Sequence, residues 1–162
     1  MTEFNTSLSG YHELKPRIVI ASRISLKSST NTIQPYLLQE GMGYDENFVR
    51  GYEAYVMDAQ HFAINRSEIK FNLISYTTSL SRFINMAEFE TIPNTIYLNI
   101  FHDIGYAKND NTNLENKLSN TLLESYGVGL DLVSFYDMVL RFEYAFTTQK
   151  THGFFFHLEK GI

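Results

Sequence analysis

Cysteine is absent from this chain, which removes disulfides, thiolate metal sites and cysteine nucleophiles at once. Tryptophan is also absent, and only three prolines occur. No apolar run approaches the ~18 residues that a membrane-crossing helix requires. Residues 1–14 lack the charged segment and apolar stretch of a signal peptide. Positive charge is scarce: 13 Lys and Arg stand against 18 Asp and Glu, for a net charge of −5. Such a chain has no basic field for nucleic acid, and no nucleic-acid partner is expected. No phosphate-binding loop, dinucleotide fingerprint, serine-nucleophile elbow or paired-histidine zinc helix is present. The chain is therefore not expected to be an enzyme, and no cofactor is expected. Five histidines (His12, His61, His102, His152 and His157) are dispersed without close ligand spacing, so no metal site is expected. His152 and His157 are placed at the wet ends of the last strand.

What the chain has is strand formers in alternation. Phe and Tyr contribute 13 and 11 residues, and aromatic and β-branched residues favour strands. Over Asp137–Phe146, Met138, Leu140, Phe142, Tyr144 and Phe146 share one face of a strand. Val139, Arg141, Glu143 and Ala145 share the other, because strand side chains alternate with period two. Ser125–Phe135 repeats the pattern, with Tyr126, Val128, Leu130 and Leu132 opposite Gly127, Gly129 and Asp131. Thr95–Ala107 sets Ile96, Leu98, Ile100 and Ile104 opposite Tyr97, Asn99, Phe101, Asp103 and Gly105. Arg17–Lys27 sets Ile18, Ile20, Ile24 and Leu26 against Arg17, Arg23, Ser25 and Lys27. His61–Leu73 alternates more weakly, with Ile69, Phe71 and Leu73 opposing Arg66, Glu68 and Lys70. Phe4–Leu14 and Phe154–Ile162 complete seven expected strands. A short helical turn is expected within Ser75–Glu90, where Leu80, Phe83, Ile84 and Ala87 have helical spacing. The paired glycines Gly127 and Gly129 are expected to ease sheet curvature.

Connections alternate in length. Tight turns are expected at Glu13–Pro16 and Phe135–Asp137. Long connections are expected at about 28–60 and at Lys108–Glu124, the latter rich in turn-forming Asn and Asp. The connection from Ser75 to Pro93 is long on the short-turn side. A soluble sandwich or small barrel, apolar inside and polar outside, shares such alternation. Full charges in mid-strand (Arg141, Glu143, Asp131, Asp103) suit a wet lumen instead. Aromatics near strand ends (Tyr126, Tyr144, Phe146) resemble the interfacial girdles of membrane barrels, whose strands need only ~9–11 residues.

Within the longest connection stands Val49-Arg50-Gly51-Tyr52. It resembles the Val/Ile–Arg–Gly–Phe/Tyr motif of outer-membrane assembly factors, the bacterial surface antigen family of β-barrels. Phe101-His102-Asp103-Ile104-Gly105 resembles that family's aromatic-x-Asp-x-Gly strand motif. Phe154, Phe156, Leu158, Lys160 and Ile162 have the alternate spacing of the C-terminal β-signal of outer-membrane barrels, with Ile162 where an aromatic is usual. The spelling around Tyr126–Asp131 and Gly153–His157 resembles Bacteroidota-type members.

The resemblance implies an all-β fold: an antiparallel transmembrane β-barrel segment, the last seven strands of sixteen. Residues 1–162 would form one portion of the barrel domain, with a loop at about 28–60 folded into the lumen. It implies that Arg50 meets Glu68 and Asp103 on the inner wall, a structural and gating role rather than a catalytic one. It implies a bacterial outer-membrane location. Outer-membrane lipid, nascent outer-membrane proteins and accessory lipoproteins would be the partners. The implied function is assembly and insertion of other outer-membrane proteins. Family members carry periplasmic domains and nine earlier strands, so this chain is expected to be a fragment or one piece of a split barrel. Two alternatives are polypeptide secretion or another cargo within the same family, and a soluble β-barrel binding an apolar ligand.

Overall fold

The computed structural model describes residues 2–30, 40–79, 91–110, 117–134 and 138–160. It contains one antiparallel sheet of seven strands in sequence order. The strands are β1 (Glu3–Lys15), β2 (Ile18–Ser29), β3 (His61–Ser79), β4 (Thr91–Lys108), β5 (Leu122–Ser134), β6 (Met138–Thr147) and β7 (His152–Lys160). Among the described residues each pairs only with its chain neighbours, so β1 and β7 are edges and the sheet is open. All seven alternating segments of the sequence are strands. One cavity of about 740 Å³ is lined by Tyr11 of β1 and by His157 and Glu159 of β7. Both edge strands thus border the same space, which means that the sheet curls.

Register fixes which side chains share a face. Across β3 to β7, Arg66 lies opposite Asp103, Asp103 opposite Ser125, and Ser125 opposite Thr147. Two residues along, Glu68, Phe101, Gly127, Ala145 and Gly153 form the next row, followed by Lys70, Asn99, Gly129, Glu143 and Phe155. All of these point to one face, on which residues 40–60 pack. The opposite face carries Ile24, Leu26, Ile69, Leu98, Ile100, Val128, Tyr126, Phe146, Phe154, Phe156 and Leu158, each more than a third exposed. Burial therefore runs opposite to that of a soluble protein. Arg50, Asp103, Asp131 and Glu143 are at most 1% exposed, whereas Phe154 is 66% exposed. An apolar cluster does exist, but it is small. Met42, Val49, Tyr52 and Met57 of the loop meet Phe62, Ile64, Ala107 and Leu123 of β3 to β5.

Several boundaries differ from those the sequence suggested. Residues 75–79 continue β3 rather than lying in the connection, pairing from Ser75–Thr95 to Ser79–Thr91. Leu80, Phe83, Ile84 and Ala87 lie outside the described residues. The β3–β4 connection shortens accordingly. Pro93 lies past the last β4–β5 pair among the described residues, Thr95–Val133. A bulge between Asn72 and Ile74 shifts the phase, so Ile74 and Tyr76 join Ile69 and Phe71 on the outer face. Alternation read straight through this point fails because one extra residue inverts it. β2 runs to Ser29, so the long connection begins at Thr30 rather than 28. The first turn is formed by Pro16 and Arg17, the latter at φ 83°. The turn expected at 135–137 lies outside the described residues. His152 and His157 do not sit together. Opposite parity puts His152 outward beside Tyr144 and His157 on the loop-covered face beside Glu53.

The β2–β3 register is directly testable in a chain without native cysteine. Ser22 and Ser67 are paired, with their hydroxyls 3.2 Å apart. Directly opposed strand residues lie within the ~4.4–6.8 Å Cα separation that a disulfide spans. Ser22→Cys with Ser67→Cys should oxidise readily to an intramolecular disulfide, read as a gel shift under non-reducing conditions. Ser22→Cys with Glu68→Cys should not, since those side chains leave opposite faces.

Candidate functional site: a buried arginine lock

Residues 49–53 cross the sheet one strand at a time. Val49 seats on β4, and Arg50 reaches carboxylates on β3, β4 and β6. Gly51 lies against Ser125 of β5 and Ala145 and Thr147 of β6. The Tyr52 hydroxyl is 3.4 Å from that of Thr148, just past β6, and Glu53 meets His157 on β7. Five consecutive residues thereby tie the loop to five consecutive strands, β3 to β7.

Arg50 is the centre of the tie. Its Nε and Nη2 donate to the two carboxylate oxygens of Asp103 at 2.8 and 2.6 Å, a bidentate fork. Its backbone N–H donates to Asp103 Oδ2 at 3.2 Å. Nη1 donates to Glu68 Oε2 at 2.9 Å and to Glu143 Oε1 at 3.0 Å. The face of the guanidinium lies 4.0 Å from the centroid of the Phe101 ring, at cation–π distance. Burial works against the Arg50 charge. The hydrogen bonds it donates to Asp103, with the charges of Asp103, Glu143 and Glu68, outweigh it and hold the pKa above the ordinary arginine value. The group is cationic at every accessible pH, and only a permanent cation with a planar donor fork satisfies three carboxylates in this way.

The neighbouring small residues make the fit possible. A Cβ on Gly105 would stand 2.5 Å from Val49 Cγ2 and would push on Met42. Gly51 has φ 87°, a left-handed conformation that disfavours any side chain, and a Cβ there would stand 2.9 Å from Thr147 Cγ2. Gly127 and Gly129 leave room for the Phe101 and Asn99 side chains from β4. In this sheet they serve cross-strand packing, where curvature alone was expected. Tyr52 is buried, and its backbone N–H closes a turn onto Val49 O at 3.0 Å.

A second group of charges lies beside the first. Arg141 Nε and Nη2 donate to Asp131 at 2.9 and 3.1 Å, and Lys70 Nζ bridges Asp131 and Glu68 at 3.0 and 3.1 Å. Asn99 Nδ2 donates to Asp131 Oδ1 at 2.7 Å. The Phe48 ring is covered by Arg66, 4.7 Å away, and stacks on His157 with centroids 6.0 Å apart.

The structure brings together Val49, Arg50, Gly51, Tyr52, Glu68, Phe101, Asp103 and Gly105. Phe154, Phe156 and Leu158 lie elsewhere, on the outer face of edge strand β7. Lys160 pairs through its backbone with Met138, and Ile162 is outside the described residues. Sequence reasoning missed Glu143 as a third partner of Arg50. Its inward phase was legible, but nothing in the spacing of 93 residues between them indicated contact. It also missed the Glu53–His157 pair. The site offers charge locking and positioning; among the described residues it presents no nucleophile paired with a general base.

Removing one partner of a buried pair typically costs about 3–5 kcal/mol, because the other charge is left uncompensated. Asp103→Asn should therefore destabilise the loop-closed state by about that much. Glu68→Gln should cost less, since that side chain is 13% exposed. The double variant Arg50→Ala/Asp103→Asn should cost clearly less than the sum of its singles, as expected for directly coupled residues. Denaturant unfolding of the four proteins measures this; strict additivity would contradict the coupling.

No family model matches this chain, and no curated protein or solved structure matches it either, so its function is read from its own strands and buried charges.

Proposed function

We propose that this chain forms seven strands of an outer-membrane β-barrel that assembles and inserts other outer-membrane proteins. The observation that carries the reading is the inverted polarity combined with the arginine lock. The face that meets solvent bears Ile, Leu, Val, Phe and Tyr on nearly every strand, while the loop-covered face bears charges. That polarity suits a wall with lipid on one side and a wet lumen on the other. Spanning strands need ~9–11 residues, and these have 9 to 19. In lipid every backbone group must be paired. Among the described residues the outer edges of β1 and β7 have no partner, so the wall would be completed by further strands.

Arg50 would hold the long loop against the inner wall and set the barrel's shape. The terminal strand β7, with Phe154, Phe156 and Leu158 facing lipid, would form one side of the seam at which a nascent barrel pairs its edge. Burial of apolar strand faces in lipid would drive insertion, and no cofactor or bond-making chemistry is needed. Outer-membrane lipid, nascent barrels and accessory lipoproteins would be the partners, in the bacterial outer membrane.

A soluble barrel with an apolar ligand inside requires the opposite polarity. It would turn Ile100, Val128 and Phe142 inward and Arg141 and Glu143 outward. Here Arg141 and Glu143 are buried and Ile100 is exposed, which counts against that reading.

Because the chain has no tryptophan, single Trp reporters test the lipid-facing wall cleanly. Val128→Trp should give fluorescence quenched by brominated lipids in reconstituted vesicles, and Val139→Trp, on the loop-covered face, should not. Equal quenching at both positions would sink the membrane-wall reading. Ile100→Arg should weaken insertion by about 2–4 kcal/mol if that position lies near mid-bilayer. For the assembly activity, Arg50→Ala in the complete barrel should slow the folding of a reporter outer-membrane protein into vesicles. An unchanged rate would remove the lock from the mechanism.

A further inference from the structure

Three side chains from three separate elements converge at the border of the lock, and Glu143 alone among them also belongs to it. Glu53 comes from the loop, Glu143 from β6 and His157 from β7, and one ligand atom from each lies within 4.8 Å of the others. His157 Nε2 is 3.1 Å from Glu53 Oε2 and 3.8 Å from Glu143 Oε2. A tetrahedral zinc with bonds of about 2.0–2.1 Å sets its ligand atoms roughly 3.3 Å apart. Small side-chain rotations bring these three to that spacing. An imidazole with two carboxylates is a ligand set that such an ion accepts.

Two further observations point to a cation at this place. Glu143 Oε2 is buried and accepts no hydrogen bond, although Oε1 of the same carboxylate accepts from Arg50. Glu143 is 1% exposed, and a buried carboxylate oxygen left unpaired costs free energy. Charge is also unbalanced. Four permanent cations (Arg50, Arg66, Lys70, Arg141) and six carboxylates (Glu53, Glu68, Asp103, Asp131, Glu143, Glu159) form one connected set of ion pairs that includes His157. With His157 neutral, two negative charges remain, which is the charge of one divalent ion. Leaving out the partly exposed Glu159 still leaves carboxylates in excess. The Phe48 ring stacked on His157 restrains the imidazole plane.

We propose that Glu53, Glu143 and His157 bind a divalent transition-metal ion, zinc by ligand type, which clamps the loop to the last two strands. The fourth coordination position would face the adjoining cavity, which His157 lines. Arg50 fastens the loop to β3, β4 and β6. The metal would add β7, the edge strand, so that loop position and edge position become one variable. This clamp depends on the ligand geometry alone and stands apart from the assembly reading.

The test is isothermal titration of zinc chloride into the purified full chain after chelator treatment, with far-UV circular dichroism checking the strand content of each variant. One zinc per chain is expected. His157→Ala and Glu53→Gln should each weaken binding by about tenfold or more, since even outer partners of a metal ligand are worth that much. His102→Ala, on the outer face, should leave binding unchanged. Cobalt(II) in place of zinc should give visible absorption that is lost in His157→Ala. Absence of stoichiometric binding, or binding indifferent to both ligand substitutions, would overturn the proposal. In the first case the cluster is an imidazole paired with two carboxylates, and in the second an ion is held elsewhere. The variants at Glu53 and His157 leave the Arg50 fork in place, so zinc affinity can be lost while the strand content is kept, and that combination assigns the ligands.

Discussion

A guanidinium taken out of water must be surrounded by carboxylates, and most of this structure follows from where Arg50 is put. The chain places it on a loop, not a strand, so its partners have to come from the wall beneath. Asp103, Glu68 and Glu143 supply them from β4, β3 and β6. Those positions can face Arg50 only if their strands turn the same parity inward. Period-two geometry then sends Ile100, Ile69, Phe142 and their row neighbours to the other side. One polar demand on the inside thus sorts apolar residues to the outside. Small residues at 51 and 105 and the flat ring of Phe101 are the steric conditions for the same contact.

The cost of such a centre explains its multiplicity. Two or more charges in a poorly hydrated space stabilise the fold only if every lone pair and donor finds a partner. Arg50 uses its Nε and both terminal nitrogens, and adds its own backbone N–H. Asp131 is likewise met by Lys70, Arg141 and Asn99. The exceptions among these groups are Oδ1 of Asn99 and one oxygen of Glu143, the latter at the border between the lock and the β7 edge. The unsatisfied oxygen of Glu143 differs from the others in lying where three potential ligands meet, and that is what suits the place to an ion.

Loop and edge strand are mechanically close. From Val49 to Glu53 the loop touches β4, β5, β6 and β7 in turn, so a shift of any of these strands is felt along the same five residues. If the sheet is the wall of a barrel whose seam involves β7, movement at the seam has a direct path to the lock through Glu53, Gly51 and Arg50. The outer face offers no comparable resistance, being made of exposed apolar side chains without directional bonds.

The seven strands and their two faces were written in the sequence, because alternation is a local property and a strand's period survives without knowledge of its neighbours. Phe101, Asp103 and Gly105 belonged to one face by phase, as did Arg141 and Glu143. The pairing of Arg50 with Glu68 and Asp103 came from motif resemblance; spacing alone gave no sign of it. Where local reading failed, a non-local cause intervened. The bulge at Asn72–Ile74 reversed the phase, and the pairing of 75–79 with 91–95 extended two strands into a stretch that read as connection. Only the tertiary structure decided which face was covered, that Glu143 joined Arg50, and that His157 met Glu53 rather than His152. Those outcomes depend on sheet register and on where a loop lies across it, and contacts between residues 93 or 104 positions apart leave no periodic trace in a chain.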